Sequence, residues 1–138
     1  MHAIGLLDTS VIIALSHGLT ADALPRTPLI CVVTLAELSV GPLIATTARE
    51  RARRQAVLQE VESVFDPLPI DAGVARAFGR VAGDLRSSGK KVKARAFDAL
   101  IAAVAVSSGL PLFTQNAADY LGITDLVVVP VPQNKFQN

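Results

Sequence analysis

Short apolar runs alternate with helix-length segments along this chain, and the first two runs each give way to a helix start within a few residues. Ile4 to Leu7 ends at Asp8, after which Thr9 or Ser10 can cap a helix over Val11 to Leu15. Pro28 opens a β-branched run, Leu29 to Val33, and Thr34-Leu35-Ala36-Glu37 has the form of a capping box that begins a second helix. Strands that alternate with helices in this way imply a parallel sheet with right-handed crossovers and helices on both faces. The expected fold class is α/β, a three-layer α/β/α sandwich with a mainly parallel central sheet.

The rest of the chain supplies the other elements. Thr47 to Phe65 is charged and amphipathic, with Ala48, Ala52, Ala56, Val57, Val61 and Val64 roughly on one face, and predicts a surface helix. Pro67 and Pro69 bracket a short connection or edge strand. Asp71 is placed to cap a helix that carries Val74, Ala77, Phe78, Val81 and Leu85 on one face and ends before Gly89. A basic linker with Lys90, Lys91, Lys93 and Arg95 leads into Phe97 to Val106, which is apolar nearly all round and so predicts a central helix stopping at Ser107-Ser108-Gly109. Leu112 to Thr114 reads as a strand, Asn116 to Leu121 as a short helix ending at Gly122, and Leu126 to Val129 as a last strand before a Pro-containing tail.

A length of 138 residues with 51% hydrophobic content suits one domain over residues 1–138. The net charge of +1 is too balanced to point to nucleic acid by itself. The single cysteine, Cys31, excludes an intramolecular disulfide and argues against a thiolate metal site, which suits a reducing cytoplasm. No signal-peptide pattern is expected, because Asp8 breaks the first apolar run. The longest uninterrupted run, Ala99 to Val106, falls short of the ~20 residues a membrane span needs, so no membrane partner is expected.

Four acids interrupt the apolar or helix-starting stretches: Asp8, Glu37, Asp98 and Asp119. Three of them follow predicted strands, where residues distant in sequence converge in an α/β fold. Each also has a plain structural role open to it. Asp8 could cap the first helix, Glu37 could complete a capping box with Thr34, Asp98 could cap the apolar helix or pair with Arg95, and Asp119 could be a solvated surface acid. Brought together they would repel, since two unit charges about 4 Å apart cost roughly 4 kcal/mol at an effective dielectric near 20. Either some carboxylates take up protons or a cation sits among them. All-oxygen ligands without histidine or thiolate suit Mg²⁺ or Mn²⁺ rather than Zn²⁺.

Other catalytic designs are poorly supplied. His2 is terminal and His17 falls in a predicted loop, while no GxGxxG or GxxxxGK[ST] phosphate loop occurs. Two basic clusters stand out, Arg49, Arg51, Arg53 and Arg54 on the long helix, and Lys90, Lys91, Lys93 and Arg95 next to Asp98; the second is the better phosphate-binding candidate. With no Trp and little aromatic content, a stacking platform for single-stranded bases is weakly supported.

The segments Leu7-Asp8-Thr9-Ser10-Val11-Ile12, Thr34-Leu35-Ala36-Glu37-Leu38, Phe97-Asp98-Ala99-Leu100-Ile101-Ala102-Ala103 and Thr114-Gln115-Asn116-Ala117-Ala118-Asp119-Tyr120 together resemble the PIN-domain ribonucleases, most closely VapC-type toxins of toxin–antitoxin pairs. The resemblance keeps motif order from near the first residue to about Val129. It implies a Mg²⁺- or Mn²⁺-dependent endoribonuclease acting on RNA, with catalytic Asp8, Glu37, Asp98 and Asp119, of which Asp8, Asp98 and Asp119 hold metal. Ser10, Arg95, Thr114 and Asn116 would support the site or the substrate. A homodimer is implied, as is a small cognate antitoxin that alone contacts operator DNA. Tyr120 stands where the family often has Phe. Two alternatives from other classes are a non-catalytic RNA- or protein-binding domain of the same fold and a receiver-type phosphoacceptor domain. The latter needs an acidic pair after the first strand and a lysine at the last, and this chain offers neither.

Overall fold

The computed structural model describes residues 2–133, so Met1 and the end of the Pro-containing tail lie outside the described residues. Four strands, β1 (Ile4–Leu7), β2 (Thr27–Leu29), β3 (Leu112–Thr114) and β4 (Val128–Pro130), form one parallel sheet in the order β2-β1-β3-β4. Five α-helices accompany them: α1 (Thr9–Ser16), α2 (Val32–Ile44), α3 (Ala48–Val64), α4 (Ala72–Ser87) and α5 (Ala96–Ser108). The expected α/β class with a parallel sheet is what the chain adopts.

Strand pleating produces the layers. Neighbouring residues of a strand face opposite sides, and here Leu6 and Leu112 join Val74, Val81, Leu85 and Ile101 in one core, whereas Leu7 and Phe113 join Val11, Leu38, Leu58 and Val61 in the other. So α4 and α5 cover one face, while α1, α2 and α3 cover its opposite. Each fully buried leucine or isoleucine contributes about 1.5–3 kcal/mol by leaving water. Gly5 on β1 has no room for a side chain, because an added Cβ would strike the Phe113 ring.

Helix ends follow capping chemistry in most places. Asp71 caps α4 by accepting from Val74 N–H at 2.9 Å, and Thr47 caps α3 by accepting from Glu50 N–H at 3.0 Å. Gly109 ends α5 in the left-handed conformation at φ 66°. Residues Ala99 and Ile101 to Ala105 of α5 are all buried, as its all-round apolarity predicts.

Three expectations are corrected. The second strand lies earlier than Leu29–Val33, and Val32 and Val33 already belong to α2, whose N-cap is Cys31 without a side-chain cap bond. The capping box at Thr34 to Glu37 therefore does not form. The buried stripe of α3 runs through Leu58 and Val61 with Val57 beside them, while Ala48, Ala52, Ala56 and Val64 are exposed. The last strand starts at Val128 rather than Leu126. The Pro67–Pro69 connection does act as an edge, since Leu68 makes a parallel bridge to Cys31. No helix among the described residues is long and apolar enough to cross a membrane.

The order of the sheet sets the working end. The chain leaves central β1 for β2 on one side, then returns to place β3 on β1's other side, so the winding reverses between β1 and β3. Crevices at such reversals, beyond the carboxyl ends of the strands, are where α/β proteins bind ligands. Asp8 and Thr114, immediately after or at the ends of those two strands, occupy that position.

Candidate active site

Asp8 is buried, at 4% exposure, and takes the capping role open to it. Its Oδ1 accepts from Val11 N–H at 3.3 Å, capping α1, and from the Ser10 hydroxyl at 2.5 Å. Its Oδ2 accepts from the Tyr120 hydroxyl at 3.0 Å. Capping thus uses one oxygen, and the other is held by Tyr120. Ser10 also accepts from Gln115 N–H at 3.1 Å, which ties the end of β1 to the loop after β3.

Asp98, in the first turn of α5, lies 3.4 Å from the same Tyr120 hydroxyl. Its pKa is raised, first by burial and then by the charges of Asp8, Asp119 and Glu37, with the Tyr120 contact opposing. The three other acids therefore all bear on Asp98. Tyr120 is itself buried among them, and burial together with the Asp8 and Asp98 charges keeps its hydroxyl protonated.

Glu37 sits in the second turn of α2, where the Thr9 hydroxyl donates to its Oε1 at 2.7 Å; that hydroxyl is also 3.1 Å from Thr34 Oγ1. Its side chain is held by α1 and does not reach back to cap α2. Asp119 pairs with Arg95 at 2.8 Å across the loop, so the pairing of Arg95 with Asp98, one of the alternatives the sequence left open, does not form. Thr114 is buried and accepts from Asn116 N–H at 2.9 Å, while Asn116 is exposed. A cavity of about 330 Å³ opens beside the carboxylates, lined by Glu37, Lys93, Arg95, Phe97 and Asp98.

Among the described residues, no three His, Cys, Asp or Glu side chains stand close enough to form a ready-made metal group. Two of the acids share a hydroxyl and a third is held by a guanidinium. The donor set is all oxygen, which fits a hard divalent cation.

The basic clusters divide differently from their sequence. Arg53 and Arg54 pair with Glu50 at 2.9 and 3.0 Å, and Arg54 also donates to Gly41 O, so both brace α3. Lys90 donates to the carbonyls of Ala118 and Leu121, both at 2.9 Å, and so belongs to the scaffold under Asp119 and Tyr120. Nothing in the sequence marks Lys90 or Thr9 for these roles, because both depend on partners 28 residues or more away.

A parallel sheet that reverses between β1 and β3, with acids gathered at that point, defines a class, and the PIN domain family model matches residues 5–118. The chain belongs to the PIN-domain family. Its relatives put it among the VapC proteins of that family: it is 44% identical over 116 residues to Ribonuclease VapC5 of Mycobacterium tuberculosis, covering 83% of this chain and 84% of that one. Ribonuclease VapC8 from the same species is 36% identical over 102 residues, covering 74% and 90%. The crystal structure of VapBC-5 from M. tuberculosis, a member of the VapBC family of toxin–antitoxin systems, superposes with a TM-score of 0.81 at 41% identity, over 94% of this chain and 99% of the other.

Proposed function

We propose that this chain is the toxin of a toxin–antitoxin pair and a Mg²⁺- or Mn²⁺-dependent endoribonuclease. The observation that carries the reading is the convergence of Asp8 and Asp98 on one buried hydroxyl, with the charges of Glu37 and Asp119 bearing on Asp98. Similarity to proteins named ribonuclease VapC supports ribonuclease activity, and likeness to VapBC-5, a toxin–antitoxin system, supports an antitoxin partner.

Asp8 and Asp98 would hold the ion, with Asp119 completing the set. When bound, a divalent ion lowers the pKa of a coordinated water and stabilises charge on the phosphate. Glu37, held by Thr9, would orient or deprotonate the attacking water. Arg95 both fixes Asp119 and presents further guanidinium N–H donors toward the cavity, where they can meet a phosphate. Ser10 and Thr114 hold the two strand-end loops, and Asn116 offers an exposed amide beside them.

An apolar groove of about 520 Å³ between α1 and α3, lined by Ile12, Leu15, Val57, Val61, Val64 and Phe65, suits an amphipathic segment of the small cognate antitoxin. A homodimer, cytoplasmic residence and contact with operator DNA only through the antitoxin complete the proposal.

Asp8→Asn is a direct test, because Asn caps a helix as well as Asp and the fold should persist. Both Asp8→Asn and Asp98→Asn are expected to melt near the wild-type temperature yet lose Mn²⁺-dependent RNA cleavage by about 100-fold or more. Full activity in either variant would overturn the assignment. A wild-type protein that neither gains thermal stability with Mn²⁺ nor cuts RNA would instead be the non-catalytic domain.

A further inference from the structure

Phe97 stands out on α5. Every other large apolar side chain of this helix is buried or partly buried, yet Phe97 is 58% exposed, and no other phenylalanine or tyrosine among the described residues is exposed. Phe113 and Tyr120 are buried, and Phe65 and Phe78 pack against the two cores. A phenylalanine left in water forgoes about 1.5–3 kcal/mol of burial. Its position adds a second observation: it forms one wall of the cavity that Glu37 and Asp98 also line, and Lys93 and Arg95 line the same cavity. The volume, about 330 Å³, is at the lower end of the ~300–1,000 Å³ range of small-ligand pockets.

We infer that the open face of Phe97 is a stacking surface for one unpaired base of the RNA, next to the scissile phosphate, with Lys93 and Arg95 bearing on the flanking phosphates. This rests on the ribonuclease reading above. An exposed aromatic flanked by cations matches a nucleotide, whose base presents a π-face and whose backbone carries charge; an acidic or purely apolar peptide satisfies only half of that surface. A base inside a duplex has both faces covered, so the surface takes single-stranded RNA. The ring sits one residue from Asp98, which fixes the stacked base close to the carboxylates.

The probe is a fluorescein-labelled single-stranded oligoribonucleotide chosen for binding to the wild-type protein in EDTA, made intact and with a single abasic ribose at each position in turn. Binding is read by anisotropy in EDTA and cleavage by single turnover with Mn²⁺. Phe97→Leu keeps the apolar bulk but lacks a ring, and is expected to weaken binding of the intact strand by about 5- to 100-fold, with Phe97→Tyr restoring it. One abasic position should cost the wild type a similar factor and cost Phe97→Leu almost nothing further. Unchanged binding and cleavage in Phe97→Leu would overturn the inference, as would an equal abasic penalty in both proteins. So would a variant that changes only its sedimentation, which would give this face to a second copy of the chain. Phe97-dependent binding without any cleavage would uphold the stacking surface and remove the nuclease reading instead.

Discussion

Tyr120 has one proton to share between two carboxylates. The hydroxyl is closer to Asp8 Oδ2, at 3.0 Å, than to Asp98 Oδ1, at 3.4 Å, so its proton goes to the more buried acid and Asp98 keeps the poorer contact. Tyr120→Phe removes a donor from a buried carboxylate and is expected to destabilise the metal-free protein by about 1–3 kcal/mol. With that donor gone, Asp8 and Asp98 depend more on a cation, so Mn²⁺ should raise the melting temperature of the variant by more than it raises that of the wild type. Equal Mn²⁺ shifts in the two proteins would show that the hydroxyl and the ion do not share these oxygens. The four acids were visible as residues in the sequence, but their partners were not. Asp8 reads locally as a cap and is one, and no local pattern shows that its second oxygen meets a tyrosine 112 positions on. Glu37 fits a capping box in sequence, yet Thr9 captures it from another helix.

Asp119 and Tyr120 belong to a short 3-10 helix, Ala117–Tyr120, which is too short to hold itself in place. The end of α4 and the loop after it hold it. Lys90 binds the carbonyls of Ala118 and Leu121, Asp84 accepts from both N–H and hydroxyl of Thr124, and Gly122, at φ 96°, passes so close to Ser88 that a Cβ would collide. Lys90→Met is expected to speed hydrogen exchange at the Asp119 and Leu121 amides, with a global loss of about 1 kcal/mol at most. Unaltered exchange there would show that the lysine is dispensable. Elements with a strong local signal were legible: α4 with its Asp71 cap, α5 with its closing glycine, and the short β3 at its observed bounds. Elements set by tertiary context were not. Val32 and Val33 favour strands by β-branching, but their place in α2 follows from packing, which outweighs that preference. β2 is short, with Pro28 in it, and lies at the end of the sheet order, where a missing N–H is tolerated.

Across the molecule, 13 basic and 12 acidic side chains nearly cancel, so no broad positive field draws RNA in from a distance. Several of the cations are already engaged, Arg53 and Arg54 by Glu50 and Lys90 by backbone carbonyls. Lys93 and Arg95, the latter paired to Asp119, are the two cations that line the cavity, and on the ribonuclease reading they are the phosphate contacts there. For a single strand each phosphate contact contributes about −0.7 to the slope of log K against log salt, so two contacts predict a slope of about −1.4. Anisotropy titrations across a range of salt concentrations measure it directly, and a slope several times steeper would require a basic surface beyond these two residues. The layered parallel fold itself was legible from alternation alone, because buried strands and crossover helices admit few arrangements.

The central strand comes first in the chain, while the groups that close over it come from its far end. Gln115 and Tyr120, which bind Ser10 and Asp8, follow them by 105 and 112 positions. A polypeptide still emerging from the ribosome carries Asp8, Glu37 and eventually Asp98 with no β3 beside β1 and no hydroxyl joining the acids. The arrangement that joins Asp8 to Asp98 through the Tyr120 hydroxyl is therefore assembled only once synthesis has passed Tyr120.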